Sequence, residues 1–415
     1  MEKELIPKLR FPEFENNWEP RTIKDLFTFK ITNSFSRENL NYSEGDVYNI
    51  HYGDIHTKFQ TLLDINVETL PYINKDINLN KVVPENYCKE GDLILADASE
   101  DLNDVGKSVE IIKIGRKKVL AGLHTILARP NQNVFTIGFC GYLFKSPTVR
   151  KLIQNEAQGT KVLSISATRI SKIQISIPDK QEQQKIASFL TTVDTKLQAL
   201  KKKKELLEQY KKGVMQKIFS QELRFKNEDG KEFPEWKYFQ GGDLFEAISD
   251  KEHNSDLPIL AISQEYGAVP REFINYQISV TEKSVESYKV VKKGDFIISL
   301  RSFQGGIEYS NYDGICSPAY IILRPKKLIN DLFYKYYFKT PEYIKQLCSK
   351  LEGIRDGKMI SYKYFSETIL PFPQIDEQKQ ISDFYLILEN KLDQISKNIQ
   401  NIENWKKGLI QKMFC

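Results

Sequence analysis

Two long stretches of this sequence share one design. The first is QEQQKIASFLTTVDTKLQALKKKKELLEQYKKGVMQKIFS, residues 181–220, and the second is DEQKQISDFYLILENKLDQISKNIQNIENWKKGLIQKMFC, residues 376–415. Each stretch follows a proline, Pro178 or Pro373, and aligning these two prolines matches the stretches to their ends without a gap. Because no residue is inserted or deleted, the length of this segment is itself constrained.

Apolar residues in both stretches recur at alternating steps of three and four, which is the period of a coiled-coil seam. In the first stretch they are Ile186, Leu190, Val193, Leu197, Leu200, Leu207, Val214 and Ile218, with Lys204 and Lys211 in phase. In the second they are Ile381, Tyr385, Leu388, Leu392, Ile395, Ile399, Ile402, Leu409 and Met413. The pattern predicts two helices of about 60 Å each. A single apolar seam needs a partner, so we expect the helices to pair antiparallel; alternatively, each packs on its own globular neighbour.

The rest of the chain repeats more faintly. GDLILA at residues 91–96 matches GDFIIS at residues 294–299, and each reads as a turn followed by a buried strand. SPTVRKLI at residues 146–153 matches TPEYIKQL at residues 340–347, and each reads as a helix with Pro at its first position. Short strands with few helices between them indicate an α+β fold.

We therefore expect an α+β protein with a pseudo-two-fold internal repeat. Two globular domains, residues 1–177 and 221–372, are separated by long helices at residues 178–220 and 373–415 that form an antiparallel coiled coil. Between the shared landmarks the two globular sequences differ completely. A similar scaffold is thus expected to carry two different surfaces.

Composition narrows the class of protein. The chain has 415 residues and a net charge of +5, which permits nucleic-acid binding without demanding it. Its five cysteines are scattered with no Cys-x-x-Cys, which argues for reduced thiols rather than a disulfide framework or a zinc site. No apolar segment has the length of a signal core or a membrane span. We expect a cytoplasmic protein with no membrane contact.

Recognisable catalytic motifs are absent from the sequence. It contains no Gly-rich nucleotide fingerprint, no Walker A motif and no Asn/Asp-Pro-Pro-aromatic methyltransferase signature. His51 and His56 lie five residues apart with no third ligand nearby, so a polar loop is favoured over a metal site. Asp356-Gly357-Lys358 matches only half of a nuclease motif. We expect no catalytic residue, no metal and no cofactor in this chain.

The chain resembles the specificity subunit of a Type I restriction–modification system. The resemblance rests on the helix starts EQQKI and EQKQI, the helix ends KKGVMQKIF and KKGLIQKMF, and the opening LRFPEF followed by Trp18. It covers the whole chain, although the globular parts match only in outline. It implies two target-recognition domains that read the halves of an interrupted site on double-stranded DNA, with the helices as a spacer.

The same resemblance implies partners that carry the chemistry. Two methyltransferase subunits would bind the helices and use S-adenosylmethionine, and restriction subunits would add ATP- and Mg²⁺-dependent translocation and cleavage. Two other functions stay open at this point: a self-sufficient nuclease or methyltransferase, and a coiled-coil scaffold that binds only proteins.

Candidate DNA contacts are polar and basic residues on Gly-flanked or polar stretches, because Arg, Lys, Ser, Gln and aromatic side chains hold phosphates and read base edges. In the first domain they are Ser34, Ser36, Arg37, Tyr52, His56, Lys58, Lys161, Ser164, Ser166 and Arg169. In the second they are Ser263, Gln264, Tyr266, Arg301, Ser302, Gln304, Arg355, Lys358, Ser361 and Lys363. Arg301 is the strongest candidate, because the Gly-Gly turn beside it allows close approach of the backbone to a guanine.

Two aromatic residues are candidate partner contacts. Tyr210 and Trp405 precede Lys-Lys-Gly at matching positions of the two long stretches, and large aromatics suit a protein interface. Alternatively, both side chains simply pack within the helix pair. The lysines of Lys201–Lys204 are expected to lie on a solvated face rather than on DNA phosphates.

Overall fold

The computed structural model describes residues 6–254, 256–274, 285–349 and 360–415. The chain divides into two compact units. Unit 1 consists of Met1–Lys201 together with Lys397–Cys415, and unit 2 consists of Lys202–Ser396. The division passes through both long helices, so that each unit contains one half of each helix.

Unit 1 combines short strands with short helices. Its strands are β1 (Glu19–Thr22), β2 (Phe27–Lys30), β3 (Leu40–Asn41), β4 (Val47–Ile50), β5 (Leu62–Asp64), β6 (Tyr72–Ile73), β7 (Leu93–Ala96), β8 (Ala98–Ser99), β9 (Ser108–Lys113), β10 (Lys118–Ala121), β11 (Thr125–Pro130), β12 (Leu163–Ser164) and β13 (Gln174–Ile177). Its helices are α1 (Ile23–Leu26), α2 (Tyr52–Thr57), α3 (Phe139–Lys145), α4 (Pro147–Glu156), α5 (Ala167–Ile170) and the start of α6 (Lys180–Phe219).

The main sheet of unit 1 has the order β2-β11-β7-β9-β5, and a second sheet has the order β10-β4-β6-β3. Strand β7 is the predicted buried strand, and all four of its side chains are buried. It follows Gly91, whose φ of 87° is a left-handed conformation that glycine adopts without strain. The turn and strand predicted from GDLILA are confirmed.

Unit 2 repeats this plan with fewer strands in its sheets. Its strands are β14 (Lys237–Gln240), β15 (Phe245–Ile248), β16 (Leu260–Ser263), β17 (Gly267–Pro270), β18 (Lys289–Val291), β19 (Phe296–Ile298), β20 (Glu308–Tyr309), β21 (Gly314–Cys316), β22 (Ile321–Pro325) and β23 (Ile369–Phe372). Its helices are α7 (Gly241–Leu244), α8 (Ser302–Gly305), α9 (Asp331–Tyr337), α10 (Pro341–Cys348), α11 (Tyr362–Ser366) and the start of α12 (Ile375–Met413). The sheet order β15-β22-β19-β20 corresponds to β2-β11-β7-β9, which confirms the internal repeat.

The helix starts predicted in both units are confirmed. Ser146 Oγ accepts a hydrogen bond from the Val149 backbone N–H and caps α4, with Pro147 as the first helical residue. Thr340 Oγ1 accepts in the same way from Tyr343 and caps α10. These caps satisfy N–H groups that no preceding turn can reach.

The two long helices run without interruption from Lys180 to Phe219 and from Ile375 to Met413. Every residue of the two predicted seams is buried or half-buried, so the period read from the sequence is confirmed. Lys211 lies in phase with the first seam, and its ammonium forms an ion pair with Glu389 at 2.8 Å. Of the predicted solvated lysines, Lys201 pairs with Glu403 at 2.6 Å.

Within each unit, one half of α6 packs against one half of α12, and the two helices run in opposite directions. In unit 1 the ring of Phe189 meets that of Trp405, and Lys201 pairs with Glu403. In unit 2 Lys211 pairs with Glu389, and further along α6 the ring of Phe219 stacks on that of Tyr385. These contacts agree with the predicted antiparallel pairing, while the coiled coil itself stays a prediction.

Each unit ties its N-terminal segment to the start of a long helix by a buried ion pair. Arg10 donates to Glu182 at 2.8 and 2.7 Å, and the matching Arg224 donates to Glu377 at 2.9 to 3.1 Å. Both carboxylates are 1% exposed, so each needs its arginine to offset the loss of water. All five cysteines are free thiols.

Candidate nucleic-acid interface

The short helix α2 carries several of the predicted DNA contacts of unit 1, and Asp54 holds it in place. Arg37 Nη2 and Nη1 donate to the Asp54 carboxylate at 2.7 and 3.1 Å, and Lys58 pairs with the same carboxylate at 3.1 Å. Asp54 is buried, whereas both basic side chains are about half exposed. Arg37 and Lys58 therefore position α2 while they keep part of their polar surface open to water.

A group of aromatic and imidazole rings surrounds Tyr52 on α2. The Tyr52 ring centre lies 4.6 Å from that of His51, 5.8 Å from His56 and 5.3 Å from His124. Burial lowers the pKa of His51 to about 4, so His51 is neutral at pH 7, and its Nδ1 accepts a hydrogen bond from Gly53. In the described parts of the chain, no three His, Cys, Asp or Glu side chains come together as a metal site.

His124 is a residue of this group that the sequence did not single out. It has a φ of 53°, in the left-handed region, and its Nδ1 lies 3.2 Å from Asp97 Oδ1. Burial raises the pKa of Asp97. The turn that holds His124 also receives the stretch with Ser34, because Asn33 N–H donates to the Ala121 carbonyl. The left-handed backbone conformation of His124 marks this residue, and it cannot be read from the sequence.

The predicted stretch around Ser164 reaches the same place through β12. Strand β12 pairs with β8, which sets Ser164 opposite Ala98, and the Ala98 carbonyl lies 3.2 Å from His56 Nε2. The structure thus brings Ser34, Tyr52, His56 and Ser164 to one region of unit 1. Ser164 and Lys161 are exposed.

Three other predicted residues of this unit have structural partners. Ser36 caps a short 3₁₀ turn, Ser166 caps α5, and Arg169 pairs with Glu156 at 3.1 Å. These contacts position their segments. Their roles on DNA stay predictions.

In unit 2, two of the predicted stretches meet at one cavity. Gln264 Nε2 donates to the Arg301 carbonyl at 3.0 Å, and a Cβ on Gly305 would lie only 2.6 Å from Gln264 Cδ. The cavity has a volume of about 660 Å³ and is lined by Ser263, Gln264 and Arg301 among others. The structure thus places two stretches with predicted DNA contacts, residues 261–267 and 300–306, side by side; their role on DNA stays a prediction.

Arg301 is an exposed basic group at this cavity. Its side chain is exposed, and within the described part of unit 2 its guanidinium has no hydrogen-bond partner. Gln304 and Tyr266 are exposed as well. Ser302 differs from them because it is fully buried and its Oγ accepts from the Ser299 N–H at 2.8 Å. Ser302 therefore shapes the turn, and a base could reach it only if the turn opened.

The third predicted stretch of unit 2 is described only in part. Ser361 caps α11 by accepting from the Tyr364 N–H, and Lys363 is exposed on the same helix. Arg355 and Lys358 lie outside the described residues.

The connection after the central strand shows how one scaffold carries two surfaces. In unit 2 the chain from β19 to β20 contains Arg301, whereas in unit 1 the corresponding chain from β7 to β9 contains the exposed acids Glu100 and Asp101. Arginine suits a guanine edge and a carboxylate suits the amino group of cytosine. Sequence analysis did not single out the acidic stretch, because the correspondence depends on the sheet order.

Comparison with protein families identifies the family of this chain. A family model described as Type I restriction modification DNA specificity domain matches residues 15–209 and again residues 234–404. The chain belongs to this family. The resemblance to Type I specificity subunits inferred from the helix motifs is thereby confirmed.

Relatives of this specificity-domain protein span most of its length. A candidate type I restriction enzyme specificity subunit of Methanocaldococcus jannaschii, MjaX, is 25% identical and covers 98% of this chain and 95% of its own. The EcoKI specificity subunit of Escherichia coli is 24% identical and covers 80% of this chain and 77% of its own.

Solved structures agree in fold. The crystal structure of a Type I restriction–modification S subunit from M. genitalium matches with a TM-score of 0.58 at 16% identity, covering 99% of both chains. A chain from a structure of the type I R-M system matches with a TM-score of 0.53 at 14% identity, covering 95% of this chain and 96% of its own. The specificity-domain protein thus has the two-domain S-subunit fold. Among its described helices, none is both long enough and apolar enough to cross a bilayer.

Proposed function

We propose that this chain is the DNA-recognition subunit of a Type I restriction–modification complex and reads an interrupted, two-part site on double-stranded DNA. Residues 1–177 and 221–372 act as the two target-recognition domains. The observation that carries the proposal is the double match of the specificity family model to two units that share a scaffold and differ in their polar connections. Two such surfaces read two different half-sites.

The long helices set the number of unread base pairs between the half-sites. They are matched in length and have no internal proline, so each resists bending. Half-sites on one face of a duplex lie about 34 Å, or one turn, apart. A helix of about 40 residues spans roughly 60 Å, which is ample for that spacing.

The catalytic chemistry belongs to partner subunits. Two methyltransferase subunits, which use S-adenosylmethionine, dock on the helices, and restriction subunits with ATP and Mg²⁺ join through them. This chain supplies no catalytic residue and acts in the cytosol. Exposed apolar side chains on the helices support docking: Tyr210 and Leu206 in unit 2 are 53% and 51% exposed, and Trp405 in unit 1 is 52% exposed.

The direct test is to co-express the chain with its methyltransferase subunit and to map methylated bases across a genome by single-molecule sequencing. An interrupted two-part motif would establish the function and give both half-sites with their spacing. A continuous motif, or no methylation despite a stable complex, would contradict the two-domain proposal.

Replacing Trp405 with Ala is expected to weaken binding of the methyltransferase subunit by about tenfold, since large aromatics often dominate interface energy. Among the described residues, the half-exposed Trp405 ring has one ring contact, edge-on with Phe189 at 6.0 Å, so a smaller loss of stability is expected. Titration calorimetry and thermal melting measure the two effects. Tyr210→Ala is the matched variant in unit 2. Unchanged affinity together with a lower melting temperature would assign Trp405 to helix packing alone.

A further inference from the structure

A smaller cavity lies in unit 1, and His56 is part of its lining. It has a volume of about 240 Å³ and is lined by the end of α2, the start of β5, the residues before β9 and the junction of α3 with α4. Pockets for drug-sized ligands usually measure roughly 300–1,000 Å³. The size of this cavity therefore suits a small group.

Lys107, Lys145 and Arg150 are the basic side chains of the lining, and two polar atoms at the cavity, on Arg150 and His56, lack partners. Lys145 Nζ donates to the neutral Thr61 Oγ1 at 2.9 Å. Arg150 Nη2 donates to the carbonyls of Asn103 and Val105, whereas its Nη1 is buried and has no hydrogen-bond partner among the described residues. His56 Nδ1 is likewise buried and has no hydrogen-bond partner among the described residues. A buried N–H donor without an acceptor, such as that of Arg150 Nη1, is rare in folded proteins.

Nearby carboxylates are already occupied. Asp104 forms an ion pair with Lys107, which also lines the cavity. Asp194 pairs with Lys406 and accepts from the Tyr142 hydroxyl.

The buried Glu110 is also engaged, because it accepts the N–H groups of Gly138 and Gly141 at 2.6 Å each. Among the described residues, neither Lys145 nor Arg150 consequently forms an ion pair, and Asp194 and Asp104 act on them only from a distance.

The electrostatics agree with this geometry. Lys145 is reached by water, but protein atoms surround it on its other sides as in a cleft. Burial, reinforced by the charges of Lys406 and Lys107, lowers the pKa of Lys145 to about 8. Burial also lowers the pKa of Arg150. A bound anion would oppose both shifts, because a nearby negative charge favours the protonated forms of Lys145 and Arg150.

The internal repeat provides a natural comparison. Aligning the helix caps Ser146 and Thr340 sets Lys145 on Lys339 and Arg150 on Ile344. In unit 2, Lys339 pairs with the buried Glu308 at 2.6 Å.

The strand register shows why unit 1 lacks that acid. Ile94 faces Val109, and the corresponding Ile297 faces Glu308, so Val109 stands where unit 2 has its glutamate. Unit 1 thus has a valine where unit 2 has this glutamate, and an arginine where unit 2 has Ile344. The lysine of unit 2 is therefore neutralised by a carboxylate, whereas Lys145 of unit 1 has no ion-pair partner among the described residues.

We propose that the cavity formed by Lys145, Arg150 and His56 binds a phosphate group, and that on DNA this group is a backbone phosphodiester. Guanidinium and ammonium groups bind phosphate oxygens by strong, charge-assisted hydrogen bonds. The carbonyl of Ala98 can only accept, so His56 Nε2 carries the hydrogen of that contact. His56 also contacts Tyr52, which places the cavity beside the candidate interface. The DNA arm of this inference rests on the proposed function.

The key variant is Arg150→Ile, which copies the residue of unit 2, with the charge-preserving Arg150→Lys as its control. Binding of the full chain to its target duplex and to a scrambled duplex is measured by fluorescence anisotropy at several salt concentrations. The isoleucine substitution should weaken binding to both duplexes by the same factor. It should also reduce the slope of log K, where K is the binding constant, against log salt concentration by about one. The lysine variant should keep most of the slope.

Free phosphate is tested separately by thermal melting in inorganic phosphate, with sodium chloride of equal ionic strength as reference. Phosphate should raise the melting temperature of the natural chain and not that of Arg150→Ile. Stabilisation by phosphate with an unchanged DNA slope would support the site and assign it to a free phosphate-bearing ligand. Loss of neither effect in the variant would overturn the inference.

Failure of the two proposals can be told apart. If the natural chain binds no DNA, the proposed function fails, and the phosphate melting arm still decides the cavity. If Arg150→Ile does not fold, Lys145→Met serves in the same experiments, because the Lys145 side chain is open to water.

Discussion

Replacing Arg301 with Ala should relax recognition of one half of the DNA site by about 1–3 kcal/mol and leave the other half unchanged. The arginine is exposed at the rim of the unit 2 cavity, and its guanidinium is free of partners within the described residues. A guanidinium in this state can form two parallel hydrogen bonds to O6 and N7 of a guanine. This contact needs no other subunit, so its loss should be measurable as weaker DNA binding by this chain.

The measurement is a set of duplexes in which each base pair of the methylated motif is replaced in turn. For the natural chain, a replacement at the position read by Arg301 should weaken binding; for Arg301→Ala, it should have little further effect. Arg301→Lys is the matched control, since it keeps the charge and loses the planar fork. Equal weakening on every duplex, including scrambled DNA, would show that Arg301 contacts a phosphate.

The surroundings of Arg301 explain why this effect should be local. Its backbone carbonyl accepts from Gln264, and Ser302 beside it is buried against Ser299. The turn is therefore held by contacts that do not involve the Arg301 side chain. Removing that side chain should change what unit 2 reads without changing its fold.

Sequence periodicity predicted the features that depend on local spacing. The two seams, the caps Ser146 and Thr340 and the strand at Leu93–Ala96 are set by residues close together in the chain, and all of them are confirmed. The family could be inferred for the same reason, because its motifs lie on the long helices.

The features that sequence analysis missed depend on distant residues. His124 lies beside Tyr52 in a turn near Asn33, which donates from its backbone to Ala121 and from its side chain to Asn49 at 2.8 Å. The positive cavity appears only when the strand register sets Val109 against Ile94. The burial of Ser302 follows from the tight turn at α8 and has no signature in composition. Polar residue type alone cannot separate a base contact from a turn support.

Phe414 and Phe219 occupy matching positions near the ends of the two long stretches. Replacing Phe414 is expected to cause the largest change in stability. Phe414 is 4% exposed, and its ring centre lies 6.1 Å from that of Trp18 and 5.8 Å from that of Phe139 in the core of unit 1. Phe414→Ala should destabilise unit 1 by about 3–5 kcal/mol, because it leaves a cavity among large rings that can collapse only partly. Phe219 is the counterpart in unit 2, and it is only half-buried.

Hydrogen exchange read by mass spectrometry can assign the loss to one unit, which a single melting curve of a two-unit protein cannot do. Protection should fall in β1, α3 and the first half of α6 and stay unchanged in β19 and β22. Lys412→Ala is the control two residues away: Lys412 is exposed, and the Leu9 N–H donates to its backbone carbonyl, a bond that alanine keeps. This substitution should lower the free energy of unfolding by no more than about 0.5 kcal/mol.

If Phe414→Ala cost no more than Lys412→Ala, the last turn of the chain would not belong to the core of unit 1. The repeated KKG-to-Phe ending would then need an explanation outside the fold, such as a partner surface.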